Sequence, residues 1–423
     1  MEQSTVALII AAIMALLFVT EKIPLAVTAM LAALAMYFTG ILSFTEAMTG
    51  FTSSAVILLI GMMIMGIAFE QVGLADRLSA LVMKLSGTNE KKFAVIIIII
   101  TAVTASFLVS LVVVTVMMGI VNRAVENSDG RLTRKSIYMP LAISAIYGST
   151  ITSISATSIM TASSMLQDSG YGRGFGFLEP GILSIPVLVI SVLAYVTFGY
   201  GYANKCFDFI EQQTDGVRES NAVDVPAWKT WLTAGVMATC ILCFIFTDLN
   251  IGAVSLTGAL ILIVFGCIDD KTAFRKINWS VVLLVVGSLG FAKGMFVSGA
   301  GQVIAEAVMR LFGSLGQSPY AMCIVFMCLA VILTNFISNN ATVTIILPIA
   351  LMVAKSLGVD GISYALAVSV GANLSVCTPI ACANISMTTV VGYRMKDYLR
   401  VGGMFNIIAV VVVSLMLRIV YFT

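Results

Sequence analysis

Apolar runs long enough to cross a membrane recur along almost the whole chain. A membrane-spanning helix needs about 20 mostly apolar residues, and the sequence contains about a dozen stretches of that order, separated by short polar breaks. Unbroken runs such as VIIIII (residues 95–100) exclude the alternation of a membrane β-barrel. Because the backbone polar groups must be satisfied inside the lipid, the sequence predicts an all-α polytopic membrane protein.

Composition supports the membrane class and narrows the functions that the chain can have. Of 423 residues, 60% are hydrophobic and 10% charged, which leaves little room for a soluble domain. Basic residues are scattered over loops, so the net charge of +2 gives no support to a nucleic-acid partner. The predicted spans lie near residues 4–20, 23–41, 54–73, 92–122, 136–165, 178–203, 227–248, 251–268, 279–297, 319–355, 360–391 and 401–421.

Two segments in different halves of the chain match at a constant offset. Residues 40–73 align with residues 266–299, so that Gly61 falls on Gly287, 226 residues later. FLVSLVVVTVMMG (107–119) lies over FISNNATVTIILP (336–348) at an offset of 229. Such a duplication is typical of secondary transporters, which bind substrate between the repeats. It predicts a first inverted repeat at residues 1–205, a polar linker at 206–225 and a second repeat at 226–423.

Two of the apolar runs are too long for one straight helix. Residues 92–122 would extend about 47 Å at ~1.5 Å per residue, against a hydrocarbon core of ~30 Å. A re-entrant hairpin followed by a further span accommodates this run and its partner at 320–355. The polar clusters TASFLVS (104–110) and TNFISNN (334–340) mark the predicted turns. Such backbone at membrane depth must be buried in protein or line a wet cavity.

The polar clusters are candidates for a binding site made of neutral side chains. Asparagine offers an oxygen acceptor and two N–H donors, so clustered amides and hydroxyls can contact a cation and an anion together. Helix N-termini at the hairpin tips would add partial positive charge. GSTITSISATS (148–158) and the Pro379-containing segment 371–384 predict unwound binding helices. The alternatives are interhelical hydrogen bonding for the asparagines and close helix packing for the small residues.

Three segments resemble the divalent anion/sodium symporter family, which carries dicarboxylates, citrate and sulfate. SNNATVTIILPIA (338–350) resembles its second Ser-Asn-Thr signature, TEKIPL (20–25) the start of its second span, and VGYRMKDYLRVGGMFN (391–406) its C-terminal segment. The resemblance covers nearly the whole chain. It implies inverted repeats, two re-entrant hairpins, a scaffold domain that dimerises, and a transport domain that moves as an elevator.

The resemblance also implies the roles of individual residues. The signature positions that contact substrate carboxylates are here Ser338, Asn339 and Asn340, with Asn340 in place of the usual Thr. Thr334, Asn339 and Ala381 occupy positions of the second-half sodium site. The other residues expected to contact substrate are Ser110, Thr157, Ser158 and Cys382, the last at a position where Thr is common.

The first half departs further from the family pattern. Its signature reads Val-Ser-Leu at residues 109–111, so that only Ser110 keeps a polar side chain. Ser155 stands where the family has a glycine. Ser106, Ser110 and Ser155 are therefore the expected, weakened ligands of a first-half sodium site.

These patterns predict a sodium-coupled symporter for a di- or tricarboxylate or another divalent oxyanion. The expected partners are a small anion, sodium, the cytoplasmic (inner) membrane and a second copy of the chain, with no organic cofactor and no nucleic acid. A sodium-independent anion exchanger or a cation/proton antiporter of the same superfamily is the alternative. With no histidine and no paired intramembrane carboxylates, the sequence gives little support to a membrane enzyme.

Overall fold

The computed structural model describes residues 2–20, 22–73, 90–126, 128, 130–209, 211, 226–247 and 249–422. All regular structure within these ranges is helical, and none of it is a strand. Seven of the described helices are long and apolar enough to cross a membrane. The predicted all-α polytopic membrane fold is confirmed.

Nine helices make up the described part of the first half. They are α1 (Gln3–Thr20), α2 (Leu25–Phe38), α3 (Phe44–Ala47), α4 (Ser54–Gln71), α5 (Glu90–Ala105), α6 (Ser110–Glu126), α7 (Arg134–Ser149), α8 (Thr157–Leu166) and α9 (Gly181–Cys206). Short 3₁₀ and π turns follow α3 at Thr49–Thr52 and α8 at Gln167–Tyr171.

The second half repeats this order of elements. It contains α10 (Ala227–Phe246), α11 (Ile251–Val264), α12 (Asp270–Lys276), α13 (Trp279–Val297), α14 (Ala300–Leu311), α15 (Pro319–Leu333), α16 (Asn339–Ser356), α17 (Gly361–Ala372), α18 (Ala383–Ser386) and α19 (Met395–Tyr421). In both halves a short helix, α3 or α12, precedes a long glycine-containing helix, α4 or α13. Further along, a pair of helices (α5 and α6, or α15 and α16) is followed by a helix, α7 or α17, that ends at an unwound segment.

Helices of one half pack on helices of the other half in two equivalent pairs. α2 lies along α13, and its counterpart α11 lies along α4. A Cβ on Gly61 would come within 2.7 Å of the Ser255 backbone, and one on Gly287 within 2.4 Å of the Ala29 backbone. Both glycines and both of their partners are 226 residues apart, so the repeat seen in the sequence is also a repeat of contacts.

Both predicted hairpins are present. α5 and α6 both pack on α7, and α15 and α16 both pack on α17. α17 has 12 residues, about 18 Å at ~1.5 Å per residue, and two helices running end to end could not both lie along so short a partner. The chain therefore turns back at residues 106–109 and at residues 334–338.

The helix bounds correct several predicted spans. Residues 92–122 form only the two hairpin helices, and the further span expected within this run is the separate helix α7. The runs 136–165 and 360–391 are interrupted at residues 150–156 and 373–382, within the segments 148–158 and 371–384 that were predicted to be unwound. α14, which was not predicted, is not among the candidate membrane-spanning helices. Most of the predicted linker, residues 210 and 212–225, lies outside the described residues.

Candidate functional site

The two hairpin tips and the two unwound segments enclose one cavity of about 210 Å³. This volume lies below the ~300–1,000 Å³ typical of sites for drug-sized ligands, so the cavity has room for a small molecule. The first half contributes Val109, Ser110, Ile146, Ser149, Ser155, Ala156, Thr157 and Ser158 to its wall, and the second half Ser338, Asn339, Asn340, Asn373, Ala381, Cys382, Ala383 and Asn384.

The second hairpin tip is held by a chain of side-chain hydrogen bonds. The Thr334 hydroxyl donates to Asn339 Oδ1 at 2.9 Å, and Asn339 Nδ2 donates to Asn373 Oδ1 at 3.1 Å. Asn373 Nδ2 in turn donates to Ser158 Oγ at 2.7 Å and to the Ser369 carbonyl at 2.8 Å. The chain joins α16, the end of α17 and the start of α8, and so fixes the orientation of the Asn339 amide.

Oxygen atoms of the second half meet at the inner side of this tip. The Thr334 hydroxyl lies against Asn339 Oδ1 and also contacts the carbonyl of Ala372. Thr334 is fully buried, directly behind the cavity wall. Three oxygen atoms, from a hydroxyl, an amide and a carbonyl, therefore meet at this tip, and oxygen is the ligand type that hard cations prefer.

The first hairpin tip uses its oxygen atoms differently. The Ser106 carbonyl accepts hydrogen bonds from Thr152 and, at 3.0 Å, from Ser155, while the Ser106 hydroxyl donates to the Val103 carbonyl at 2.6 Å. Ser155 also contacts the Ser149 carbonyl at 2.8 Å. These hydroxyls and carbonyls are paired with one another, as the groups of the second tip are, but none of them is a carboxamide; they hold the tip to the unwound segment.

Two side-chain pairs cross between the halves at the cavity. Asn340, at the second hairpin tip, lies against Thr157 at the start of α8, with Nδ2 2.9 Å from Oγ1. Ser110, at the first tip, accepts a hydrogen bond of 2.9 Å from Asn384 Nδ2 on α18. Each pair therefore joins the hairpin of one half to the broken helix of the other.

The cavity is polar but carries no charged side chain among its described lining residues. Three helices of ten residues or more begin at its wall: α6 at Ser110, α8 at Thr157 and α16 at Asn339. The N-terminus of a helix presents N–H groups and partial positive charge. The cavity can therefore attract an anion without using lysine or arginine.

Nine of the eleven predicted site residues line this cavity. Ser106 and Thr334 lie behind it, 4% and 0% exposed. Asn335, in the same polar cluster, points elsewhere, and its amide bonds the Val331 carbonyl and the Cys377 N–H. The predictions missed Ser149, Asn373 and Asn384, although all three lie in the segments 148–158 and 371–384, which match each other in sequence.

Broken helices from two repeats, meeting at a neutral polar cavity inside a polytopic helical protein, define a membrane transporter. A family model described as "Citrate transporter" matches residues 15–371. The chain belongs to this family. The resemblance to sodium-coupled anion carriers is confirmed, and the family and its relatives are transporters rather than enzymes.

Individual relatives show how far the similarity extends. The sodium-dependent dicarboxylate transporter SdcS of Staphylococcus aureus is 23% identical over 433 residues, covering 94% of this chain and 82% of that protein. An uncharacterized transporter of Synechocystis is 30% identical over 174 residues, which are 41% of this chain but 28% of the relative. The structure of the YdaH transporter of Alcanivorax borkumensis superposes with a TM-score of 0.62 at 13% identity, covering 89% and 87% of the two chains, which shows a shared fold.

Proposed function

We propose that this transporter is a secondary active symporter that couples a sodium gradient to uptake of a small di- or tricarboxylate or another divalent oxyanion. The observation that carries the proposal is the neutral cavity, at which three helix N-termini meet beside a cluster of oxygen atoms. The name of SdcS, a sodium-dependent dicarboxylate transporter, supports both the ion and the substrate class.

Charge balance favours a co-transported cation. A dianion moved from water into a low-dielectric cavity loses hydration that neutral amides and helix termini replace only in part. A sodium ion bound by Thr334 and Asn339 offsets part of this charge within the same protein body. It would also order the second tip, so sodium and the anion raise each other's affinity by the same factor.

A sodium-independent anion exchanger is the second candidate, and one observation favours it. The first tip keeps only Ser110 as a polar side chain at residues 109–111, and the oxygens of Ser106 and Ser155 are engaged with neighbouring groups. A transporter with weak cation sites could exchange one anion for another instead of using the sodium gradient. A cation/proton antiporter gains no such support, because no carboxylate lines the cavity in the described residues.

The proposed transporter divides into repeats at residues 1–205 and 226–423, forms a homodimer in the cytoplasmic membrane, and moves its hairpins and broken helices as one transport domain. The crosswise contacts of α2 with α13 and of α4 with α11 support a scaffold built from both halves. The contacts of α8 with α16 and α17 support a transport unit that is likewise shared.

Uptake into proteoliposomes tests the proposal. Labelled succinate, citrate and sulfate are each offered with an inward sodium gradient or with choline in place of sodium. Sodium-dependent accumulation of one of them is the expected result. Uptake that ignores sodium but is stimulated by anion inside the vesicles would overturn symport in favour of exchange.

A further inference from the structure

The first hairpin tip has no asparagine, but the carboxamide of Asn384, from the other half of the chain, lies beside this tip. Ser110 occupies the position that Asn339 holds in the second tip, at the offset of 229. Asn384, 274 residues away in the chain, directs its Nδ2 to Ser110 Oγ at 2.9 Å. Asn384 is 6% exposed and lines the cavity.

A similar pair lies at the opposite tip, one residue further along the hairpin, with the two residue types exchanged. At the second tip the hairpin contributes the amide of Asn340 and the broken helix contributes the hydroxyl of Thr157. At the first tip the hairpin contributes the hydroxyl of Ser110 and the broken helix contributes the amide of Asn384. Each pair also lies at the N-terminus of a long helix, α16 or α6.

We propose that Asn384 is a substrate-binding residue that replaces the missing asparagine of the first hairpin tip. With Ser110 and the first turn of α6 it forms a second anion-binding position, opposite the position made by Asn340, Thr157 and α16. The cavity then takes a dicarboxylate, with one carboxylate at each position. This inference rests on the proposed function, because it concerns the same cavity and narrows its substrate class.

The test compares three variants with the unaltered protein in the same succinate uptake assay. Asn384→Ala removes the amide and is expected to raise the half-saturating succinate concentration about 10–100-fold, the effect of losing one charge-assisted hydrogen bond, while the maximal rate stays within about threefold. The double variant Ser110→Asn with Asn384→Ser exchanges the two side chains across their contact, and it is expected to restore half-saturation to within about threefold. Asn250→Ala, at an exposed helix cap remote from the cavity lining, is the matched control and should leave it unchanged.

A competing monocarboxylate separates binding from a purely structural role. Butyrate can occupy only one anion-binding position, so the preference for succinate over butyrate as an inhibitor should fall about 10-fold or more in Asn384→Ala. An unchanged half-saturation or preference would overturn the inference, as would a lower maximal rate at unchanged half-saturation that the exchange fails to repair. If the unaltered protein accumulates none of succinate, citrate and sulfate, the proposed function fails. If it accumulates citrate or sulfate but not succinate, or if Asn384→Ala behaves like the unaltered protein with succinate, only this inference fails.

Discussion

The two hairpin tips share a backbone path and differ in how their oxygen atoms are used. Residues 338–340 read Ser-Asn-Asn, and the Asn339 amide is held between Thr334 and Asn373. Residues 109–111 read Val-Ser-Leu, and the oxygen atoms behind them bond one another through Ser106 and Ser155. The same duplicated unit therefore places a carboxamide in the hydrogen-bonded tip of one half, and only hydroxyls and carbonyls in that of the other.

The comparison indicates that the duplicated halves have kept a helix-packing contact but not the polar side chains of their hairpin tips. The contact of Gly61 with Ser255, between α4 and α11, is repeated by that of Gly287 with Ala29, between α13 and α2. The side chains at the two tips, Val-Ser-Leu and Ser-Asn-Asn, have diverged. We expect the second half to hold sodium and the first half mainly to shape the anion site.

Asn339→Ala should reduce transport more than any other single substitution at the two tips. It removes an oxygen from the cation cluster and an amide from the cavity, and it leaves the buried Asn373 without one partner. Loss of two such contacts predicts a drop in sodium-driven uptake of about 100-fold or more. The measurement is initial uptake into proteoliposomes at equal amounts of reconstituted protein.

Lys293→Ala is the control for Asn339→Ala. Lys293 lies at a long 4.0 Å from Glu46, away from the cavity lining, so its removal should change uptake by less than about twofold. Near-normal uptake by Asn339→Ala, with the protein monodisperse in detergent, would contradict the proposal that the second tip binds sodium and substrate.

Gly61→Ala and Gly287→Ala should destabilise the protein to a similar extent. An added Cβ would lie 2.7 Å and 2.4 Å from facing backbone atoms, so two helices must separate in either case, at a cost of about 1–3 kcal/mol. Gly66→Ala, on the same helix as Gly61, meets nothing within 4 Å and should not destabilise. Thermal melting in detergent checks all three, and a large difference between the first two would show that the scaffold halves are not equivalent.

The helices, the repeat and the hairpins could be predicted because each leaves a local signal. Apolar runs give the spans, the shared glycines give the repeat, and polar clusters within runs that exceed the membrane thickness give the turns. The pairing of Asn384 with Ser110 leaves none, since it depends on how α18 packs against α6 and α7. Asn373 was missed for a related reason: it lies in the segment 371–384 that the sequence singles out, but its hydrogen bonds to Asn339 and Ser158 depend on how α17 packs against α16 and α8.

The residue types in the polar cluster also did not predict which side chains face the cavity. Asn335 and Asn339 are one helical turn apart in number, yet the turn at residues 334–338 sends only Asn339 into the cavity. Asn335 instead fastens the second hairpin to the unwound segment, where it accepts the Cys377 N–H at 3.0 Å. A hairpin turn decides which side chains face inward, and that geometry is not readable from spacing alone.

Thr334→Val and Ser106→Ala compare the two halves as sodium sites. Thr334→Val keeps the side-chain shape and removes one of the three clustered oxygens, so the half-saturating sodium concentration for uptake should rise about 10-fold, equivalent to ~1.4 kcal/mol. Ser106→Ala removes a hydroxyl that already donates to Val103 and should shift it less than about threefold. Equal shifts from the two changes would mean that both halves bind sodium.

The smallest expected effect comes from the hydroxyls that hold the hairpins to the unwound segments. Thr378 donates to the Asn335 carbonyl at 2.5 Å, and Ser155 donates to the Ser106 carbonyl, which Thr152 also contacts. Ser155→Ala leaves that carbonyl with a second donor, so it should cost about 0.5–1 kcal/mol, whereas Thr378→Val should cost about 1–2 kcal/mol. Melting temperatures of the two variants check the order. The reverse order would show that the first tip depends on Ser155 itself, through its contacts with the Ser149 carbonyl and the Thr152 hydroxyl.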